Sequence, residues 1–204
     1  MSALFAFAAA LLGIGLCAAL IRGRLAALRR QCLEALARTD AALRRRHDIV
    51  ATLGEAARQH LPQGPQADET LAELSGARTA ASAAARAAGH GEPLALRELV
   101  RAEERLDILL TRLRALARPE PDQTPPANLG GLFLELDDAA HQVALARLAY
   151  NEAARAYNAC RHGFPAVLLA GAFGYEDAPA LEFGGTLFHA PKGPCRSGGC
   201  RAQP

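Results

Sequence analysis

The chain has 204 residues, a net charge of +2, abundant Ala, Leu and Arg, few aromatics and no Trp. Such a composition favours helix over sheet, and a near-neutral balance does not suit a polyelectrolyte that wraps nucleic acid. The cysteines, Cys17, Cys32, Cys160, Cys195 and Cys200, are odd in number and irregularly spaced, so they make no disulfide framework.

Ala3 to Ile21 is a run of nineteen residues without a charge. At the helical rise it would span roughly 28 Å, about the thickness of a hydrocarbon core. A cleaved signal peptide is the competing reading. It would need a basic stretch ahead of the run, where only Met1 and Ser2 stand, and a better cleavage site than Ala18-Ala19 before Leu20. Leu16 before Cys17 does not suit a lipidation signal. Residues 1–21 therefore read as an uncleaved transmembrane anchor. Arg22, Arg24, Arg29 and Arg30 follow at once. By the positive-inside rule they put the N-terminus outside and the remainder in the cytoplasm. The same arginines can meet anionic lipid headgroups, at about 1 kcal/mol each near the surface.

From Leu25 to Leu61 the pattern is helical without a break. Leu25, Leu28, Cys32, Leu36, Thr39, Leu43, Val50, Leu53, Ala57 and Leu61 alternate by three and four, a coiled-coil-like stripe in which His47 is a polar interruption or an edge residue. Pro62-Gln-Gly-Pro65 ends this helix. A second, alanine-rich helix is predicted over Ala67–Ala88, with Leu71 and Leu74 its only large apolar residues. Gly89-His90-Gly91 stops it, and Glu92-Pro93 opens a third that runs to about Ala117. Leu96, Leu99, Leu106, Leu109, Leu110, Leu113 and Leu116 supply its apolar face, while Glu103, Glu104 and Asp107 alternate with arginines as a solvated face would. Arg118 to Gly131 reads as a linker or long loop. The last long helix is predicted over Leu132–His162, stopped by Phe164-Pro165, and an apolar run, Val167–Phe173, follows. After Gly184 the chain is Gly-, Pro- and Cys-punctuated and reads as a flexible tail over 184–204. The whole is an all-α chain: a transmembrane helix continuing into an antiparallel up-and-down four-helix bundle over 22–183.

All three tyrosines fall between His141 and Phe183, two of them in Tyr150-Asn151 and Tyr157-Asn158, seven residues apart. That is close to two helical turns, so both pairs share a face. With Ala146-Arg147 before them and Phe164-Pro165 after, these residues resemble the C-terminal signature of the LemA family. Its pattern is Ala-Arg-x-x-Tyr-Asn, then Tyr-Asn, Phe-Pro, an apolar segment and a late phenylalanine, here Phe183. Arg45-Arg46-His47-Asp48-Ile49 resembles the opening of the family's first signature, and Thr70-Leu71 with Ala77-Arg78 the second. The likeness extends from about Ala3 to Phe183. Ala51-Thr52 stands where the family has Pro-Asn, and Ala140 where it has an acid, so the chain resembles a divergent member. The resemblance implies a single-pass protein of the bacterial inner membrane with a helical bundle and without an established enzymatic activity. Links of some relatives to membrane organelles make a membrane-organising role an expectation.

Chemistry in the residues themselves is sparse. His141 lies about 30 Å along its helix from Cys160 and His162, and Cys160-x-His162 lacks the spacing of a closed zinc site. Cys195 and Cys200 lack further ligands. No nucleophile elbow or phosphate loop stands out, and aromatics do not interleave with the arginines as nucleic-acid binding would want. The reading is therefore no catalytic, cofactor or metal residues. Arg147, Tyr150, Asn151, Tyr157, Asn158, Phe164 and Pro165 form a structural or interaction motif, with Asn151 and Asn158 placed to hydrogen-bond the returning chain. The expected role is a membrane-anchored scaffold with the bilayer and unknown proteins as partners and with room for self-association. The alternative is an accessory or sensor subunit of an envelope-stress or proteolysis system, with a ligand near Tyr150, Tyr157 and Phe164.

Overall fold

The computed structural model describes residues 2–61, 64–118, 127–172 and 174–181. Residues 62–63, most of the expected linker (119–126), Phe173, the late phenylalanine Phe183 and the tail with Cys195 and Cys200 lie outside the described residues. Among these described residues five helices follow in order: α1 (Ser2–His60), α2 (Pro65–Ala88), α3 (Pro93–Leu116), α4 (Ala127–His162) and α5 (Ala166–Ala172). Among the described residues there is no strand.

The 59 residues of α1 form one helix, about 88 Å long at the standard rise. Its N-terminal end is long and apolar enough to cross a membrane and is almost unburied by the rest of the protein. From Leu25 onward the helix has a core side. Leu25, Cys32, Thr39, Arg46 and Leu53 are buried at intervals of seven, and so are Leu36, Leu43, Val50 and Ala57. A seven-residue repeat keeps one face toward the same neighbours over many turns.

Those neighbours are α4 on one side and α2 on the other, and α2 in turn packs on α3. The clusters of buried side chains fix the directions. One joins the late part of α1 (Val50, Leu53) to early α2 (Leu71, Leu74), late α3 (Leu110, Leu113) and early α4 (Leu129, Leu136). Another joins the middle of α1 (Leu36, Leu43) to late α2 (Ala85, Ala88), early α3 (Leu96, Leu99) and mid α4 (Val143, Tyr150). Each of α2, α3 and α4 thus runs opposite to its predecessor, the expected up-and-down bundle. Ala77, Ala81, Ala85 and Ala88 form most of the buried face of α2, and their small side chains let its backbone approach α1 and α3. Between α3 and α4, Arg114 reaches Asp137 at 2.7 Å and lies 5.0 Å from the centre of the Phe133 ring.

Proline opens both α2 (Pro65) and α3 (Pro93), where the missing N–H has no intrahelical role. The turn between them uses Gly91 at φ +75°, a left-handed conformation that favours glycine. Helix α2 begins at Pro65, two residues ahead of the sequence reading, and two larger differences follow. Helix α4 begins at Ala127, so Gly130 and Gly131 are helical rather than linker; buried Leu129 holds that first turn to the core. The apolar run after Pro165 is a fifth, two-turn helix, α5, which packs on α1 and α4.

Candidate functional site

The Tyr-Asn face of α4 meets residues 174–181, the extended chain that returns after α5. Tyr150 Oη donates to the carbonyl of Pro179 (3.0 Å), and Tyr157 Oη to that of Glu176 (2.9 Å). Each asparagine makes a two-bond clamp. Asn151 Nδ2 donates to Leu181 O (3.0 Å) while its Oδ1 accepts from Leu181 N–H (2.8 Å). Asn158 does the same with Ala178, at 2.8 and 2.9 Å. A primary amide carries a donor and an acceptor side by side, so it pairs with one residue's N–H and C=O as a neighbouring strand would. The seven-residue spacing on α4 places the two clamps at Ala178 and Leu181. Arg161 adds Nε to Tyr175 O (2.7 Å) and Nη1 to Asp177 (2.6 Å), and His162 Nε2 lies 2.9 Å from the same carboxylate. Below the clamps Leu181 is fully buried among Leu43, Leu96 and Val143. The arrangement is a latch, with side chains of α4 satisfying a segment that has no secondary structure of its own.

Burial sets the electrostatics here. The phenol of Tyr150 is pushed up to about 12 by loss of water, with the neighbouring Cys32 a smaller contribution. Tyr157 is raised for the same reason, partly offset by Arg29 and Arg161. Burial also raises the Cys32 thiol, opposed by a backbone hydrogen bond. A neutral phenol donating to a carbonyl suits this site, and a raised thiol is less nucleophilic at neutral pH.

The remaining residues of the motif divide. Arg147 is half-buried on α4, and Pro165 half-buried at the turn. Phe164 stands apart at 86% exposure; it does not join the tyrosines. Arg22, Arg24, Arg29 and Arg30 are exposed on α1 where the apolar stretch ends. Arg29, Cys32, Tyr150, Tyr157 and His90 contribute to a cleft of about 270 Å³ between α1, the α2–α3 turn and the returning segment. Among the described residues no three His, Cys, Asp or Glu side chains gather as a metal site would need.

A second polar centre is one that the sequence reading placed in solvent. Glu103 is 1% exposed. Its carboxylate accepts from Arg46 Nη1 (2.6 Å) and lies 2.7 Å from His47 Nε2. In the tautomer that donates to Glu103, His47 Nδ1 accepts from Ser82 Oγ at 3.1 Å. Arg46 also pairs with Asp107, which is partly buried. Burial raises the Asp107 carboxyl despite the Arg46 guanidinium, with Glu103 and Glu104 adding to the rise. The alternation of acids and arginines on α3 suggested a solvated face, yet Glu103 falls in the Leu99, Leu106, Leu110 stripe. The stripe on α1 likewise passes through Arg46 and His47. The two polar interruptions meet, which a single helix's pattern cannot show.

A model of the LemA family matches residues 35–192, well over half of the chain. The matched span takes in both polar centres and begins within α1, after the apolar stretch and Arg22, Arg24, Arg29 and Arg30, whereas the sequence likeness extends from about Ala3 to Phe183. A search of curated proteins finds no match.

Proposed function

We propose that this chain, which belongs to the LemA family, is a membrane-anchored helical scaffold that acts through protein partners and the bilayer rather than by catalysis. The observation that carries this reading is the continuity of α1 from an apolar, unburied end into the centre of the bundle. A helix without a hinge transmits position: it holds the bundle at a fixed height and orientation over the surface it crosses. Gly23, the one glycine near the junction, lies inside the helix and does not interrupt it. The polar groups of the Tyr-Asn face are engaged with the backbone of residues 175–181, which supports a structural role for that face.

On this reading the span lies in a bacterial inner membrane, the bundle is cytoplasmic, and Arg22, Arg24, Arg29 and Arg30 meet anionic headgroups. Each such cation is worth about 1 kcal/mol near the surface. Complementation tests the idea. A chain without residues 2–21 should accumulate as a soluble bundle and fail to restore the phenotype of the deletion. Full rescue by that soluble chain would refute a role in organising the membrane.

The cleft beside Tyr150 and Tyr157 favours a second reading, an accessory or sensor subunit that holds a small ligand there. About 270 Å³ approaches the lower end of small-molecule sites. Tyr157→Ala separates the two: loss of a partner with helicity and melting unchanged supports recognition at this face, and general unfolding supports the latch.

A further inference from the structure

Helix α5 sits at a particular height. Ala166 is buried against Leu25, with Ile21 and Leu28 beside it, and α5 touches both α1 and the end of α4. That is the level on α1 where the uncharged run ends at Ile21 and the arginines begin at Arg22. Helix α4 descends antiparallel to α1, so the turn at 163–165 is the end of the bundle that faces the apolar part of α1. On this end Phe164 is 86% exposed, Leu168 68% and Val167 43%.

These side chains are apolar and adjacent, and the core leaves them uncovered. From this placement we infer that Phe164, Val167 and Leu168 form a second membrane contact, a wedge that enters the headgroup–acyl boundary beside the anchor. The inference rests on the anchor reading of α1. Its support is continuity and charge. The wedge adjoins the apolar segment, and exposed Arg24, Arg29 and Arg30 lie at the neighbouring turns of α1, matching the phosphates of the layer that the wedge would enter. Phe and Leu set against basic residues is the composition of interfacial elements, which bury their apolar face about 5–10 Å into the boundary. A second contact at the foot of the bundle also resists swivelling of α1. Transfer of each large side chain from water into lipid shifts the balance toward the inserted state on the order of tenfold or more.

The absence of Trp makes the test direct. Single-Trp chains Phe164→Trp, Leu12→Trp and Leu134→Trp are reconstituted, full length, in mixed phosphatidylethanolamine and phosphatidylglycerol vesicles. Emission, acrylamide access and quenching by lipids brominated at defined depths are read. Leu134 is 70% exposed, at the opposite end of the bundle. The expected result is deep lipid quenching at Leu12→Trp and shallow lipid quenching with a blue shift at Phe164→Trp. Leu134→Trp should emit as if in water and be open to acrylamide. Deep quenching at Leu12→Trp with an acrylamide-accessible Phe164→Trp would overturn the wedge and leave the anchor standing. Acrylamide access at Leu12→Trp would overturn both. A blue-shifted Phe164→Trp that no brominated lipid quenches would mean that protein, such as a second copy of the chain, covers the wedge, and would also overturn it. If Phe164→Trp loses helicity, Leu168→Trp reads the same position on α5.

Discussion

Glu103→Ala tests the buried network between α1 and α3. At 1% exposure the carboxylate holds two partners, Arg46 at 2.6 Å and His47 at 2.7 Å. Removing it leaves a buried guanidinium with Asp107 as its charged partner and with Nε already lacking a hydrogen bond among the described residues. Breaking a buried pair from one side costs about 3–5 kcal/mol, chiefly because the surviving charge is stranded. For a domain of this size each kcal/mol lowers the melting temperature by roughly 2–4 °C, so the expected fall is on the order of 6–20 °C. The assay is urea and thermal unfolding of the full chain in mild detergent, followed by helicity. Arg46→Met should restore part of the loss when combined with Glu103→Ala, because the stranded cation is then gone. The expected coupling between the two sites exceeds about 1 kcal/mol. A Glu103→Ala cost below about 1 kcal/mol, or single costs that simply add, would show that the network does not hold α1 to α3.

Asn151→Ala with Asn158→Ala should release residues 174–181. Each removes two hydrogen bonds worth about 1 kcal/mol apiece, so hydrogen exchange at the Ala178 and Leu181 amides should quicken by at least tenfold while α2 and α3 are unchanged. Tyr150→Phe should flatten the alkaline limb of stability. A phenol raised from 10 to about 12 in the folded state contributes stability below pH 10 that is lost as pH rises through the folded value, on the order of 2–3 kcal/mol for two pH units. Unfolding at pH 9 to 12 reads it directly. Asp107→Asn should reduce the loss of stability as pH rises above about 3.8, since its carboxyl is raised by burial and the folded state favours the protonated form; urea midpoints from acid to neutral pH decide it. Gly91→Ala should cost about 1 kcal/mol for its positive φ, and Gly91→Asn should cost less in the same melts.

The helices and their order were legible because their signals are local. The stop signals at Pro62 and at Gly89 to Pro93 delimit three of the helices, and the heptad stripe of α1 is written in its own residues. The Tyr-Asn spacing likewise announced a shared face and a returning chain. The acceptors on that chain were not legible: the carbonyls of Glu176, Ala178, Pro179 and Leu181 are backbone atoms of a segment with no periodicity. Glu103 was misplaced for a related reason. Its position in the leucine stripe of α3 was visible, but the cation that neutralises it lies on α1, 57 residues away, and which helices face one another is a tertiary fact. Phe164 shows the opposite case. Its motif placed it with the tyrosines, while the turn at Pro165 carries its side chain outward.

The continuity of α1 is the feature from which the functional account proceeds, and the state of its first residues in cells tests that account most directly. The full chain, carrying a C-terminal tag, is recovered from bacterial membranes after alkaline carbonate washing and its intact mass is measured. Residues 2–21 should be retained and the protein should stay in the pellet. A mass that places the mature N-terminus after residue 19, with the bundle in the supernatant, would contradict that account.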